Sequence, residues 1–187
     1  MRHYAGAAIM GALFAICVAM TLPRTAAAAS AADTNRQIDA ALSSLYASTP
    51  TAVELSKKAK GILVFPDVVK GGFLFGGQFG VGALRVGGRT VGYYSTVAAS
   101  YGLQIGVQSF GYALFLMDDS SMKFLNNEGG WELGVGPSVV VLDQGTARTL
   151  TTATATQGVY AFIFDQEGLM AGMGLQGSKI TQYTPDE

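Results

Sequence analysis

The sequence is poor in the residue types that carry most protein chemistry. It has one histidine and one cysteine, His3 and Cys17, and 13% of its residues are charged, which is about half the usual fraction. Beyond residue 17 the chain can therefore form no disulfide bond, no cysteine nucleophile, no Ser-His-Asp triad and no His/Cys zinc site. These absences favour a role in binding over a role in catalysis.

Two patterns that resemble catalytic or cofactor motifs lack the context that such motifs need. Glycines in residues 172–177 have the spacing of a dinucleotide-binding loop, but no βαβ unit surrounds them. Asp118, Asp119 and Asp165 could contribute to carboxylate pairs, but they occupy a predicted helix cap and a predicted turn. We therefore expect a protein that is not an enzyme and that binds neither a cofactor nor a metal ion.

The first 29 residues have the organisation of a cleavable signal peptide. A short basic segment precedes an apolar run from Ala7 to Leu22, and a tract of small residues follows. The run is short for a membrane-spanning helix, and the bulky residue before Cys17 argues against acylation there. We expect residues 1–29 to be removed and residues 30–187 to form one domain in the periplasm or outside the cell, where it could lie against a membrane.

The rest of the sequence predicts two helices followed by a sheet. Apolar residues at helical spacing predict a helix over 33–47, and Thr49-Pro50 predicts a second helix that ends at Gly61. Apolar residues at period two, separated by turn signals, then predict strands near 62–65, 73–82, 90–97, 103–117, 131–142, 146–156, 159–164 and 169–180. Gly87-Gly88 predicts a two-residue hairpin turn, and Asp118 can cap a short helix to Leu125.

Glycine is roughly twice as frequent as in an average protein, with 25 residues. Its spread through apolar segments is typical of strands that bend sharply or pack closely. The pattern as a whole predicts a mainly β domain with short N-terminal helices, of the α+β class. Its curved antiparallel sheet is expected to be closed, or nearly closed, into a barrel-like single domain.

Charge is distributed unevenly along the chain. Residues 57–89 contain six basic residues and one acidic residue, whereas the chain from Thr90 onward contains nine acidic residues and three basic residues. Such an asymmetry indicates either an anionic partner for residues 57–89 or a solvated surface, and composition alone does not decide between the two.

Four sequence blocks in a fixed order closely resemble the signature of the SYLF domain family, over about residues 51–182. The blocks are Lys58–Val64 with Lys70–Leu74, Gly102–Gly106, Gly134–Pro137, and Gly168–Gly172 with Leu175–Ser178. The resemblance implies lipid binding, because eukaryotic members bind phosphoinositide-containing membranes, and some members act on actin patches.

The resemblance also implies a basic amphipathic helix ahead of the first block as the main membrane contact. The corresponding helix here, over 33–47, departs from that pattern because Arg36 is its only base. The bases that remain are the candidate headgroup-binding residues, namely Lys57, Lys58, Lys60, Lys70, Arg85 and Arg89. The candidates for apolar contact with a lipid are Phe73, Phe75, Tyr93 and Phe110.

We therefore predict an exported, non-catalytic module that binds anionic, phosphoinositide-like phospholipid headgroups or membrane surfaces. Nucleic acid is not expected as a partner, and export argues against actin. The alternative is a structural or protein-interaction protein of the cell envelope without a specific lipid ligand, whose glycine- and aromatic-rich surface packs on another protein.

Overall fold

The computed structural model describes residues 30–101, 106–142, 158–168, 175 and 177–185. The predicted signal peptide and the predicted strand over 146–156 lie outside the described residues. In chain order the elements are α1 (Ala31–Ser48), α2 (Pro50–Ser56), β1 (Gly61–Gly72), β2 (Phe75–Val86), β3 (Arg89–Tyr101), β4 (Gly106–Leu116), α3 (Asp119–Leu125), β5 (Trp131–Glu132), β6 (Val139–Leu142), β7 (Val159–Gly168) and β8 (Lys179–Tyr183).

The described strands form one sheet in the order β5-β8-β3-β2-β1-β4-β7-β6. Neighbouring strands are antiparallel except for β6, which runs parallel to β7 at one edge. The sheet curls into a half-barrel, and the short helices of α1 and α2 precede it. The predicted mainly β architecture with short N-terminal helices is confirmed.

Local chemistry sets the ends of the first two helices. The side chain of Ser30 accepts a hydrogen bond from the backbone N–H of Asp33, so α1 begins earlier than predicted. Pro50 opens α2 as predicted, but α2 ends at Ser56 rather than at residue 61. The chain leaves the helix early because the N–H of Lys60 donates to the carbonyl of Leu116 on β4, at 2.8 Å, and so joins the sheet.

The half-barrel is packed on both faces near the start of β1. On its inner face lies a core that includes Leu63, Phe65, Leu84, Tyr112, Leu114 and Trp131. On its outer face, α1 and α2 cover a second layer that includes Ile38, Leu45, Leu55, Val64, Phe115 and Phe162. None of the helices in the described ranges has the length and apolar composition needed to cross a bilayer.

A bulge at residues 65–67 of β1 shifts the alternation of its side chains. Before the bulge Val64 packs beneath the helices, whereas after it Val69 lies on the same outer face and is exposed. Strands β1 to β4 continue from there, and no helix of the described ranges covers them. We call this part the apolar end, and its exposed side chains are Val69, Phe73, Leu74, Phe75, Phe79, Val97 and Val107.

Three predicted segments differ from the structure. The strand predicted over 169–180 is wrong at its described residues before 179, because Gly177 turns with a φ of 76° and β8 begins only at Lys179. The single strand predicted over 131–142 is wrong, because Gly134 and Gly136 adopt positive φ angles of 106° and 93° and divide it into β5 and β6. These two strands lie at opposite edges of the sheet. The turn predicted at 165–168 is also wrong: β7 continues to Gly168 and accommodates Asp165, with a φ of 50°, in a bulge opposite β4.

Candidate functional site

The link between α2 and β1 carries three of the predicted basic residues. The amides of Lys58 and Ala59 both donate to the carbonyl of Leu55, which closes the helix. Lys57 is the C-terminal cap of α2, and Lys57, Lys58 and Lys60 are all exposed. The link therefore presents ammonium groups at the start of β1, after the helix rather than in its last turn.

The hairpin between β2 and β3 brings a fourth base to the same place. Gly87 and Gly88 have φ angles of 56° and 78°, the conformation of the tight two-residue turn that the sequence predicted. Because Arg85 pairs with Ile62 in the sheet register, the hairpin lies beside the first residues of β1. Arg89, the first residue after the turn, is exposed.

Helix α1 holds Arg85 in position through one side chain and one backbone carbonyl. Its Nη2 atom lies 2.7 Å from Oδ1 of Asp39 and donates to the carbonyl of Asn35 at 3.3 Å. The side chain of Arg85 is only 14% exposed. Its Nε–H is buried and has no hydrogen-bond acceptor among the described residues. A buried donor without an acceptor is costly, so an anion could satisfy this N–H only after a movement of the Arg85 side chain exposed it.

Together these segments enclose a groove of about 450 Å³, which we call the basic groove. Its cations are Lys57, Lys60 and Arg85, and among its lining residues, all of them described, Asp39 is the only acid. Its remaining lining residues include Leu42, Tyr46, Ser56, Ala59, Ile62, Gly87 and Gly88. The groove therefore combines positive charge at its rim with an apolar and aromatic wall.

The ion pairs in the groove leave part of this positive charge available. Lys57 pairs with Glu54 at 2.6 Å, but both side chains are more than half exposed, and exposed pairs contribute little. Lys60 has no ion-pair partner among the described residues. Burial raises the pKa of the Tyr46 phenol, opposed in part by a hydrogen bond with Ser56. The hydroxyl therefore stays protonated and can donate.

The structure separates Lys70 from the other candidate bases. Lys70 lies near the far end of β1, about 30 Å along the strand from Lys60, and is half-buried. In the register it stands between Gln78 on β2 and Gln108 on β4, two buried side chains of the inner face. It is not part of the basic groove, and neither Lys58 nor Arg89 lines that groove.

The four apolar candidates lie in three different places. Phe73 and Phe75 are exposed in the apolar end, at 58% and 73%. Tyr93 is half-buried beneath α1, where its hydroxyl accepts a hydrogen bond from Asn35, and Phe110 is buried in the inner core. They do not form one lipid pocket.

Sequence reasoning missed the contribution of α1 to the groove. Asn35, Asp39, Leu42 and Tyr46 follow one another at the spacing of a single helix face, beside the buried stripe of α1. That spacing could have predicted that these four side chains share one face of α1. It could not have predicted whether that face lines a groove or is simply exposed to solvent. Most of the apolar end was missed as well, because alternating apolar residues in a strand predict burial.

The second half of the chain matches a known family. Residues 97–186 match the family model described as Ysc84: Las17-binding protein actin regulator. This Ysc84 (SYLF) match is consistent with the resemblance to the SYLF family that the sequence blocks indicated. The SYLF family is linked to lipid binding and to actin regulation. No curated protein matches the chain.

The matched segment includes part of the apolar end but none of the residues that line the basic groove. The basic groove is built from residues 39–88, all of which precede the matched segment. The matched segment begins at Val97 in the apolar end and extends past β8. The family match therefore supports the fold and leaves the role of the groove to be argued from its own geometry.

Proposed function

We propose that this SYLF domain is an exported, non-catalytic lipid-binding module that holds anionic phospholipid headgroups in its basic groove. One observation carries the proposal: Arg85 lines the same groove as Lys57 and Lys60, and its only ion-pair partner among the described residues is the exposed Asp39. Guanidinium and ammonium groups are the usual protein ligands of phosphate. A phosphodiester or phosphomonoester headgroup is the form in which a membrane presents that anion.

The charges of the groove predict modest affinity that depends on salt. Each base near an anionic membrane surface contributes about 1 kcal/mol, and the contribution decays within a Debye length. Asp39 and Glu54 compete with the headgroup for Arg85 and Lys57. Binding through the groove should therefore need anionic lipid and weaken as salt is added.

The proposal includes export and excludes actin as a partner. Residues 1–29 have the order of a secretory signal, namely a basic start, an apolar run and small residues. A module outside the cytoplasm would meet phospholipid in the envelope, as a periplasmic or secreted protein that associates peripherally with membrane. It would not meet an actin cytoskeleton.

Vesicle co-sedimentation of the full chain tests the headgroup proposal. Vesicles of phosphatidylcholine alone are compared with vesicles that also contain phosphatidylglycerol or a phosphoinositide, each at low and high salt. The change Lys57→Glu with Lys60→Glu should reduce binding to anionic vesicles at low salt at least tenfold. A matched control, Arg36→Glu with Lys123→Glu, changes the net charge equally outside the groove and should retain most of the binding.

Unchanged anionic binding in the groove variant would overturn the groove as the headgroup site. A wild-type chain that binds no vesicle of any composition would overturn the lipid-binding function. That second result would favour the alternative role, an envelope protein that uses its exposed apolar side chains to pack on another protein.

A further inference from the structure

The apolar end includes the turn of the β1–β2 hairpin, and this tip consists of large apolar side chains. Phe73, Leu74 and Phe75 form the tip, and they are 58%, 50% and 73% exposed. Behind the tip the register places Val69, Phe79 and Val97 directly opposite one another on β1, β2 and β3. Residues that face each other across strands share one face of a sheet. The tip is therefore continuous with an apolar row on the outer face.

The backbone of this hairpin is hydrogen-bonded within the sheet up to its tip. Pairing between β1 and β2 continues to Gly72 and Gly76, and the N–H of Phe73 donates to the carbonyl of Phe75 at 3.1 Å. Strands β4 and β3 flank the hairpin and pair as far as Gly72 and Phe75. Backbone groups without partners are the main obstacle to entering hydrocarbon. In this hairpin most backbone N–H and C=O groups are already paired, so that cost is largely absent.

The charge of the four strands suits an anionic surface. No acidic residue occurs between Asp67 and Asp118, whereas Lys70, Arg85 and Arg89 lie in that stretch. The nearest acids on the outer face of the apolar end are Asp67 on β1, two residues before Val69, and Glu167 on β7, opposite Ser109. Beyond Asp67, a bilayer with anionic headgroups therefore meets no carboxylate on the hairpin, and the absence of buried charge at the tip permits contact with acyl chains.

We infer that the apolar end is a membrane-inserting wedge, in which Phe73, Leu74 and Phe75 enter the boundary between headgroups and acyl chains. The inference rests on the proposed lipid-binding function and adds a second contact to it. Interfacial elements enter to a depth of about 5–10 Å, which matches the tip and the first residues behind it. The wedge lies about 35 Å along β1 from the basic groove, so the two contacts act separately.

Separate contacts predict different lipid requirements. The groove needs anionic headgroups and is weakened by salt, whereas insertion of apolar side chains persists on neutral phosphatidylcholine and at high salt. The change Phe73→Ser, Leu74→Asn and Phe75→Ser in the full chain should therefore lower partitioning into phosphatidylcholine vesicles at least tenfold. Val91→Ser with Val135→Ser removes apolar side chains that are 57% and 59% exposed elsewhere, and it should leave partitioning unchanged.

Fluorescence quenching tests insertion without removing apolar surface. Phe75→Trp places an indole at the tip, in addition to the buried Trp131. With vesicles of phosphatidylcholine brominated on its acyl chains, the added emission should be quenched, whereas a tryptophan at Val91 should not be. Equal vesicle binding by the wild type and the tip variant would overturn the wedge and leave the headgroup function standing.

Two further results would also overturn the wedge. One is a tip variant that binds vesicles normally but changes from a dimer to a monomer in light scattering, since the apolar end would then bind a second copy of the chain. The other is emission from Phe75→Trp that is unaffected by brominated lipid although the protein sediments with vesicles. The groove variant gives the supporting result. It should lose its anion-dependent binding but still bind phosphatidylcholine vesicles and still show quenching, which would support the wedge.

Discussion

Arg85 on β2 and Asp39 on α1 form an ion pair of 2.7 Å across 46 residues of chain. The pair is asymmetric, since the arginine side chain is 14% exposed and the aspartate side chain is 68% exposed. The buried cation is therefore fixed to the fold, while its anion is accessible to solvent. A phosphate that enters the basic groove would compete with Asp39 for the same guanidinium.

Asp39→Asn should strengthen binding to anionic vesicles roughly two- to fivefold, because it removes the competing charge at the cost of one ion pair whose aspartate is solvent-exposed. Co-sedimentation at low salt measures the change. Glu128→Gln, an equal loss of charge at an exposed site outside the groove, serves as the control. If Asp39→Asn binds anionic vesicles no better than the wild type does, Asp39 does not compete with the headgroup.

Gly82→Ala should destabilise the domain by about 2–3 kcal/mol, as expected for overpacking against backbone. A Cβ at this position on β2 would overlap the carbonyl oxygen of Val64 on β1. Gly77→Ala, on the same strand, is the matched control, because its Cβ would meet the carbonyl of Ala98 at an ordinary 3.7 Å. Urea denaturation of both variants measures the difference, and equal stability would show that β1 and β2 are not so closely apposed at Gly82.

Asp118→Ala should cost about 1 kcal/mol of stability at neutral pH, because Asp118 caps α3. Its carboxylate accepts the backbone N–H of Ser121 and the hydroxyl of Ser120, both at 2.7 Å. These bonds lower the pKa of Asp118 below its usual 3.8, the bond from Ser121 most of all. Because the pKa of Asp118 is lower in the folded state than in the unfolded state, the cap stabilises the fold fully at pH values above the unfolded-state pKa. That contribution is lost as the pH falls through the folded-state pKa.

The stability difference between wild type and Asp118→Ala should therefore be constant from neutral pH to about 5 and should shrink below about 4. Thermal denaturation across pH measures it. Asp118→Asn keeps a capping oxygen without a titrating group, so its stability should not acquire this acid dependence. A difference that grows as the pH is lowered would show that Asp118 acts through another interaction.

Processing of the full chain in a secreting bacterial host should give a mature protein that starts between Ala28 and Ala32. Cleavage after Ala29 would leave Ser30, the cap of α1, as the first residue. Cleavage after Ala31 would remove that cap and should lower stability by about 1 kcal/mol. Intact mass identifies the start, and an acylated N-terminus at Cys17 would overturn the plain signal peptide.

Features governed by short-range chemistry were predictable from the sequence. Pro50 at a helix start, the turn at Gly87-Gly88 and the Asp118 cap all depend on residues a few positions apart. The location of β5 and β6 at opposite edges was not predictable, because it depends on which distant strand each one pairs with. Positive φ angles at Gly134 and Gly136 permit that division, but glycine in an apolar segment is equally compatible with a continuous strand.

The candidate site was predictable in part for a similar reason. Clustering along the chain placed Lys57, Lys58 and Lys60 with the nearby hairpin bases Arg85 and Arg89. It also included Lys70, which the length of β1 carries to the other end of the sheet. The contribution of Asp39 depends on how α1 lies across the sheet, a tertiary relationship that no local pattern records.

The bulge around Pro66 makes the length of the hairpin adjustable without disturbing the core. Side chains before it are committed to the packing beneath the helices, while those after it are not. Adding two residues to β1 and two to β2 beyond the bulge would extend the reach of the tip by about 7 Å and keep every side chain on its present face. Adding one to each would exchange the environments of Val69 and Lys70. Relatives adapted to membranes with different headgroup layers should therefore differ here by even numbers of residues.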